Sequence, residues 1–254
     1  ETRYGHVVQA RTLQGTTEDI VILRLYTSHD DPSFQREIAA QLSGWQQADA
    51  ASVVDVADWG TSPRPWAAVE FTEQTLWERG QLPREELLQS ATDLTSALAQ
   101  LHQRDLVHGG IDPHSIRQTP SLFDEPTVSK LDNVGLIPVY RNYDNPANYT
   151  DPRYAGPEYF SDQHGSIDHA TDIYQLGMAL YTAATGEPPY EGSFEEIRRG
   201  ALTEQPAPLD SENPALPAGL AEILARATAK EKIQRFETAT QFHQAVRSVA
   251  ENVT

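Results

Sequence analysis

Residues 170–186, ATDIYQLGMALYTAATG, are apolar nearly all the way round. A helix with no polar face must be enclosed by other elements, so this segment predicts a central buried helix stopping at Gly186. No run of about 18 apolar residues occurs in the chain, so no spanning helix is expected and this segment reads as a protein core. The chain must therefore supply several amphipathic helices to cover it. Two lie downstream, in PAGLAEILARATA and TATQFHQAVRSVAENV, and one upstream, in PREELLQSATDLTSALAQLHQRD. The upstream helix aligns Leu87, Leu94, Leu98 and Leu101 on one stripe and places Pro83 at its first turn.

The first 70 residues follow a different period. GHVVQAR and DIVILRLY are β-branched runs separated by TLQGTTED, which reads as a hairpin. FQREIAAQLSGW spaces Phe34, Ile38, Leu42 and Trp45 as one helix face. ASVVDVADWG and PWAAVEF read as two further strands, and residues 117–160 read mostly as loop. The expected fold class is α+β: a small β-rich lobe with one helix over residues 1–70, and a larger, mainly helical lobe over 71–254. Ligands tend to bind in a cleft between such lobes.

At 254 residues, 39% of them hydrophobic, the chain is long enough for a packed core. Its formal net charge of −18 opposes phosphate polyanions, which argues against a charge-held nucleic-acid partner or anionic membrane surface. Three lysines (Lys130, Lys230, Lys232) stand against 16 arginines. High acid with few lysines is the composition expected of a halophilic microbe, whose proteins keep a hydrated carboxylate surface in salt. No cysteine is present, which removes disulfides, thiolate metal sites and cysteine nucleophiles. No secretory-leader pattern opens at Glu1, and the expected location is cytoplasmic, without direct membrane insertion.

Five motifs in order give the sequence a family. ALAQLHQRDLVHGGIDPHSI, KLDNVGL, YAGPEYF, TDIYQLGMALYTAATGEPPY and KEKIQRF resemble successive landmarks of the eukaryotic-like Ser/Thr protein kinases, from Gly5 to about Phe242. The resemblance implies a bilobal protein kinase-like fold. It assigns structural roles to His108 in the catalytic loop, to Asp172 as the brace of that loop, and to Glu158 and Arg235 as a buried ion pair. Such a pair is costly to break from one side.

The same resemblance exposes departures at the chemical positions. The family's His-Arg-Asp with an Asn five residues on becomes His108, Gly109 and Gly110, then Ser115. Gly110 stands at the catalytic acid, and Asp112 stands where a Lys approaches the terminal phosphate. The metal-binding Asp becomes Asn133, and magnesium favours carboxylates. Arg24 replaces the phosphate-holding Lys, with Glu37 as its expected ion-pair partner. Gly5 matches the last glycine of the phosphate-covering loop, and Thr2 falls at its middle glycine. Glu70 and Thr72 fall near the interlobe hinge. Asp132 is expected to point away from the cleft, because a one-residue step along a strand changes face.

These departures predict a catalytically inactive, regulatory or protein-docking module (a pseudokinase). Its catalytic residues would be absent, its nucleotide cleft (Gly5, Arg24, Glu37, Glu70, Thr72, Asn133) vestigial, its metal ligands lost and its cofactors none, with ATP and magnesium binding weak or absent. Its partner would be another protein. The alternative is a nucleotide-binding enzyme with weak or rerouted phosphoryl or nucleotidyl transfer, in which Asp112 or Asp132 supplies the missing acid.

Overall fold

The computed structural model describes residues 5–14, 17–119, 127–144, 149–209, 213, 216 and 218–252. Strands β1 (Gly5–Gln14) and β2 (Thr17–Tyr26) form an antiparallel hairpin that pairs Gly5 with Tyr26 and Gln14 with Thr17. Strand β3 (Val56–Gly60) and strand β4 (Trp66–Glu70) complete a four-stranded sheet in the order β1-β2-β4-β3. Helix α1 (Pro32–Gln46) starts on Asp31, whose carboxylate accepts from the Ser33 N–H at 2.7 Å. It buries Phe34, Ile38, Leu42 and Trp45 beneath the sheet, the face that the spacing predicts.

The strand expected over 51–60 is shorter than its sequence signal. Val53 and Val54 leave the sheet for the other lobe: Val54 N–H donates to Leu131 at 2.8 Å, and Leu131 N–H donates to Ser52 at 2.9 Å. Residues 52–54 thus tie the two lobes through the backbone.

Below the cleft, β5 (Gln74–Thr75), β6 (Ile116–Gln118) and β7 (Ser129–Leu131) form a small antiparallel sheet. Helix α2 (Leu76–Arg79) follows β5, and α3 (Arg84–Gln103) begins after Pro83 and buries the leucine stripe. The 117–160 region is more ordered than its turn-rich composition suggests, since it contains β6, β7 and the short helix α4 (Leu136–Tyr140). Helix α5 (His169–Thr185) is buried at every residue from Thr171 to Ala184 and stops at Gly186, where φ is 84°. Helices α3, α7 (Ala218–Ala227) and α8 (Ala239–Glu251) pack around α5, while α6 (Phe194–Thr203) places Ile197 and Ala201 in a second cluster with Tyr174 and Met178 of α5. The all-round apolar segment is therefore enclosed as its sequence requires. Among the described residues, no helix is long and apolar enough to cross a membrane.

Candidate active site

The loop 108–116 is fixed from below by one carboxylate. Asp172, in the first turn of α5 and fully buried, accepts from the backbone N–H of His108 at 2.8 Å and of Gly109 at 2.7 Å. It also accepts from His102 Nε2 at 2.9 Å. Three donors on one buried carboxylate account for keeping the charge in the core. His108 donates from Nε2 to the Asp132 carbonyl at 2.9 Å. Burial pulls its pKa below the ordinary histidine value against the pull of Asp172, so the ring is held neutral as a packing and hydrogen-bonding group. Further along, Asp112 Oδ1 accepts from the N–H groups of His114 and Ser115, each at 2.9 Å. Ser115 Oγ donates to the Asp112 carbonyl at 2.9 Å, which closes the turn on itself.

Gly109 and Gly110 leave room for a neighbour. A Cβ at Gly110 would lie 2.0 Å from Ile137 Cδ1 and 2.8 Å from its Cγ1; one at Gly109, where φ is 68°, would lie 2.5 Å from Pro138 Cγ. Helix α4 rests on the paired glycines at the spot where a side chain would otherwise stand. Tyr159 adds an O–H donated to the Gly109 carbonyl.

The upper wall departs from expectation in two places. Arg24 does not pair with Glu37. Its Nη1 donates to Asp132 Oδ1 at 2.5 Å and to Asn133 Oδ1 at 2.8 Å. Glu37 instead accepts from Tyr143 O–H at 2.7 Å and from Asn142 Nδ2 at 3.2 Å. The cause is the segment after Gly135, which folds as α4 against α1 and brings Tyr143 to Glu37. Asp132 does not point away either. Strand β7 ends at Leu131 and Asn133 takes φ 60°, so strand alternation stops before Asp132, which turns into the cleft. Asn tolerates this left-handed conformation better than most residues. Burial works against the Arg24 charge more than any other single influence, and Asp132 and Tyr26 together outweigh it.

Arg117, on β6, is the cleft residue that sequence reasoning missed. Its Nε donates to Thr72 Oγ1 at 2.9 Å and lies 3.9 Å from Asp132 Oδ2. The available signal was alternation: Ile116 is buried in the core, so Arg117 takes the opposite face. Glu70 turns out of the cleft, accepting from Lys130 Nζ at 2.7 and 2.8 Å. Gly5 opens β1 next to His6, which does line the cleft. Thr2 lies outside the described residues. The cleft has a volume of about 420 Å³ and brings Arg24, Arg117, Asp132 and Asn133 together with Asp112 and Ser115.

Away from the cleft, Glu158 and Arg235 meet in a two-pronged bond of 2.9 and 3.0 Å, with both side chains fully buried. Burial alone would raise the Glu158 pKa; the Arg235 hydrogen bonds and charge reverse this and hold it below the ordinary value.

Two lobes, an interlobe cleft and a braced loop define the protein kinase-like fold. The sequence matches the protein kinase domain family over residues 2–246, and the chain belongs to that family. It is 28% identical to the serine/threonine-protein kinase PrkC of Bacillus subtilis over 230 residues, covering 87% of this chain and 34% of that protein. It is 24% identical to the serine/threonine-protein kinase PknB of Mycobacterium tuberculosis over 225 residues, covering 83% of this chain and 35% of that protein. The chain thus spans about a third of the length of these curated relatives. Its fold superposes on the crystal structure of the M. tuberculosis PknI kinase domain with a TM-score of 0.71 at 19% identity, covering 98% of this chain and 91% of that one.

These comparisons overturn the expectation of an inactive docking module. The relatives are named as kinases, which are enzymes, and the substitutions at Gly110, Asp112, Ser115 and Asn133 do not amount to positive proof of inactivity. The expectation of no cofactor rests on the same substitutions and meets the same objection, since the relatives are named as kinases.

Proposed function

We propose that the interlobe cleft binds a nucleoside triphosphate and transfers its terminal phosphoryl group to a Ser or Thr hydroxyl of a protein. The supporting observation is the convergence, in one 420 Å³ cleft of a kinase-family domain, of the buried Arg24 and the loop carrying Asp112, which Asp172 braces from below. Positioning and charge stabilisation carry most of phosphoryl transfer. Gly110 offers no acid, and Asp132 is held by Arg24 at 2.5 Å. Asp112 is the remaining carboxylate on this loop that lines the cleft. In the transfer, the acceptor oxygen bonds to the terminal phosphorus and its proton passes to Asp112. The bond from that phosphorus to the bridging oxygen breaks, and the nucleoside diphosphate leaves. The expected protein partner is then the acceptor substrate, and the need for a nucleoside triphosphate favours a cytoplasmic site of action.

The test is incubation with terminally labelled ATP and a Ser/Thr-containing protein, followed by identification of the labelled residue. Label on Ser or Thr supports the reading; a folded chain that neither binds ATP nor transfers label overturns it.

A further inference from the structure

The cleft lacks the donor set for magnesium. The cation needs near-octahedral oxygen ligands with carboxylate character. Asn133 Oδ1 already accepts from Arg24, and Asp132 Oδ1 lies against the same guanidinium. Ser115 Oγ is bonded both ways to the Asp112 backbone. Among the described residues, no group of three or more His, Cys, Asp or Glu side chains is placed to hold a metal. Of the one or two carboxylates that magnesium would share with substrate phosphates and water, Asp132 is committed to Arg24 and Asp112 to its own turn. A divalent cation at Asn133 would also meet the Arg24 charge in a poorly solvated pocket, where like charges repel strongly.

Two guanidiniums from opposite sides of the cleft converge there instead. Arg24 comes from the upper sheet, is 6% exposed, and uses Nη1 for Asp132 and Asn133. Its Nε is buried without any partner, although the residue faces the cleft. Arg117 comes from the lower sheet and uses Nε for Thr72. Asp132 lies between the two, 2.5 Å from Arg24 and 3.9 Å from Arg117. The other cleft acids are engaged locally: Asp112 caps its own turn, and Glu78 caps Thr75. A buried N–H without an acceptor is a standing demand for one, and a guanidinium fork matches phosphate oxygens in shape and charge.

From this geometry we propose that Arg24 and Arg117 hold the phosphates of the cleft ligand directly, with no divalent cation between them. Phosphate recognition here is metal-independent, and Arg117 is a phosphate-binding residue. This rests on the nucleotide reading above and specifies how the nucleotide is held.

Calorimetric titration of the whole chain with ATP, once in excess EDTA and once in excess magnesium, tests it. The expected dissociation constants agree within about threefold. Inorganic triphosphate competes, adenosine does not, and Arg117→Leu weakens ATP binding in EDTA by at least about tenfold. If Arg117→Leu fails to fold, Arg117→Lys gives the same reading, because it keeps the charge and loses the fork. Binding that requires magnesium, or that is equally tight for adenosine, overturns metal-free phosphate recognition and leaves nucleotide binding standing. Absence of ATP binding under both conditions overturns both.

Discussion

Arg235 and Arg24 are both buried arginines facing a carboxylate, but only one has its hydrogen bonds filled. Arg235 places Nη1 and Nη2 on Glu158 and sends further bonds to the carbonyls of Ala229, Ala170 and Lys230. Arg24 has Nη1 on Asp132 and Asn133, and its Nε has no partner. A guanidinium whose donors are filled by its own chain has a structural role. One that is also buried but incompletely bonded, in the wall of a cleft, is equipped to meet a ligand. The lower lobe is thus a closed network, and the cleft an open one.

The largest effect should come from breaking the closed network. Arg235→Met leaves Glu158 charged and buried, which costs about 3–5 kcal/mol. Arg24→Met should cost less, because Arg117 stands ready to compensate Asp132. Urea unfolding of both variants gives the ranking; equal losses would place Arg24 in the structural frame. Next, Gly110→Ala should lower stability by about 1–3 kcal/mol through overpacking against Ile137. Ile137→Ala in the same chain should recover part of that loss, and its failure to do so would remove the steric account of the paired glycines.

A smaller effect is expected from pH. Burial holds the His108 pKa below the ordinary value, so the unfolded chain takes up this proton first as pH falls. Stability should therefore decline as pH drops through about 6.5 toward the lower folded value. His108→Gln should flatten the decline in melting temperature over that window. Glu158 acts in a lower window: its depressed pKa gives stability that is complete above the ordinary glutamate range and disappears only on further acidification. Smallest of all is Arg79→Ala, which removes a half-exposed bond to Glu86 of 2.8 Å and should change stability by less than about 1 kcal/mol.

The contrast between the two arginines also separates what the sequence made legible from what it did not. The leucine stripe of α3 and the face of α1 were readable because each is a local period of 3.6 residues, and the α5 core because its segment is apolar on every side. The loop and its brace were readable from ordered motifs around His108 and Asp172. The cleft wall was not, because its contacts join residues more than a hundred positions apart, such as Arg24 with Asp132. Periodicity misled at Asp132, where the strand ends one residue earlier. Helix α4 was hidden in a stretch with turn-like composition, and it is the turn after it, with Asn142 and Tyr143, that holds Glu37 away from Arg24. Arg117 had a strand-alternation signal, but no motif drew attention to it.

The most direct test of phosphoryl transfer in this cleft is the rate of labelled phosphate transfer from ATP to a Ser/Thr protein by the wild-type chain and by Asp112→Asn. Asn keeps the capping oxygen for His114 and Ser115 and removes the proton acceptor, so the fold should hold while the rate falls by about 10²–10⁴. Equal rates in the two chains, or no transfer by a wild-type chain that binds ATP, would contradict the assignment.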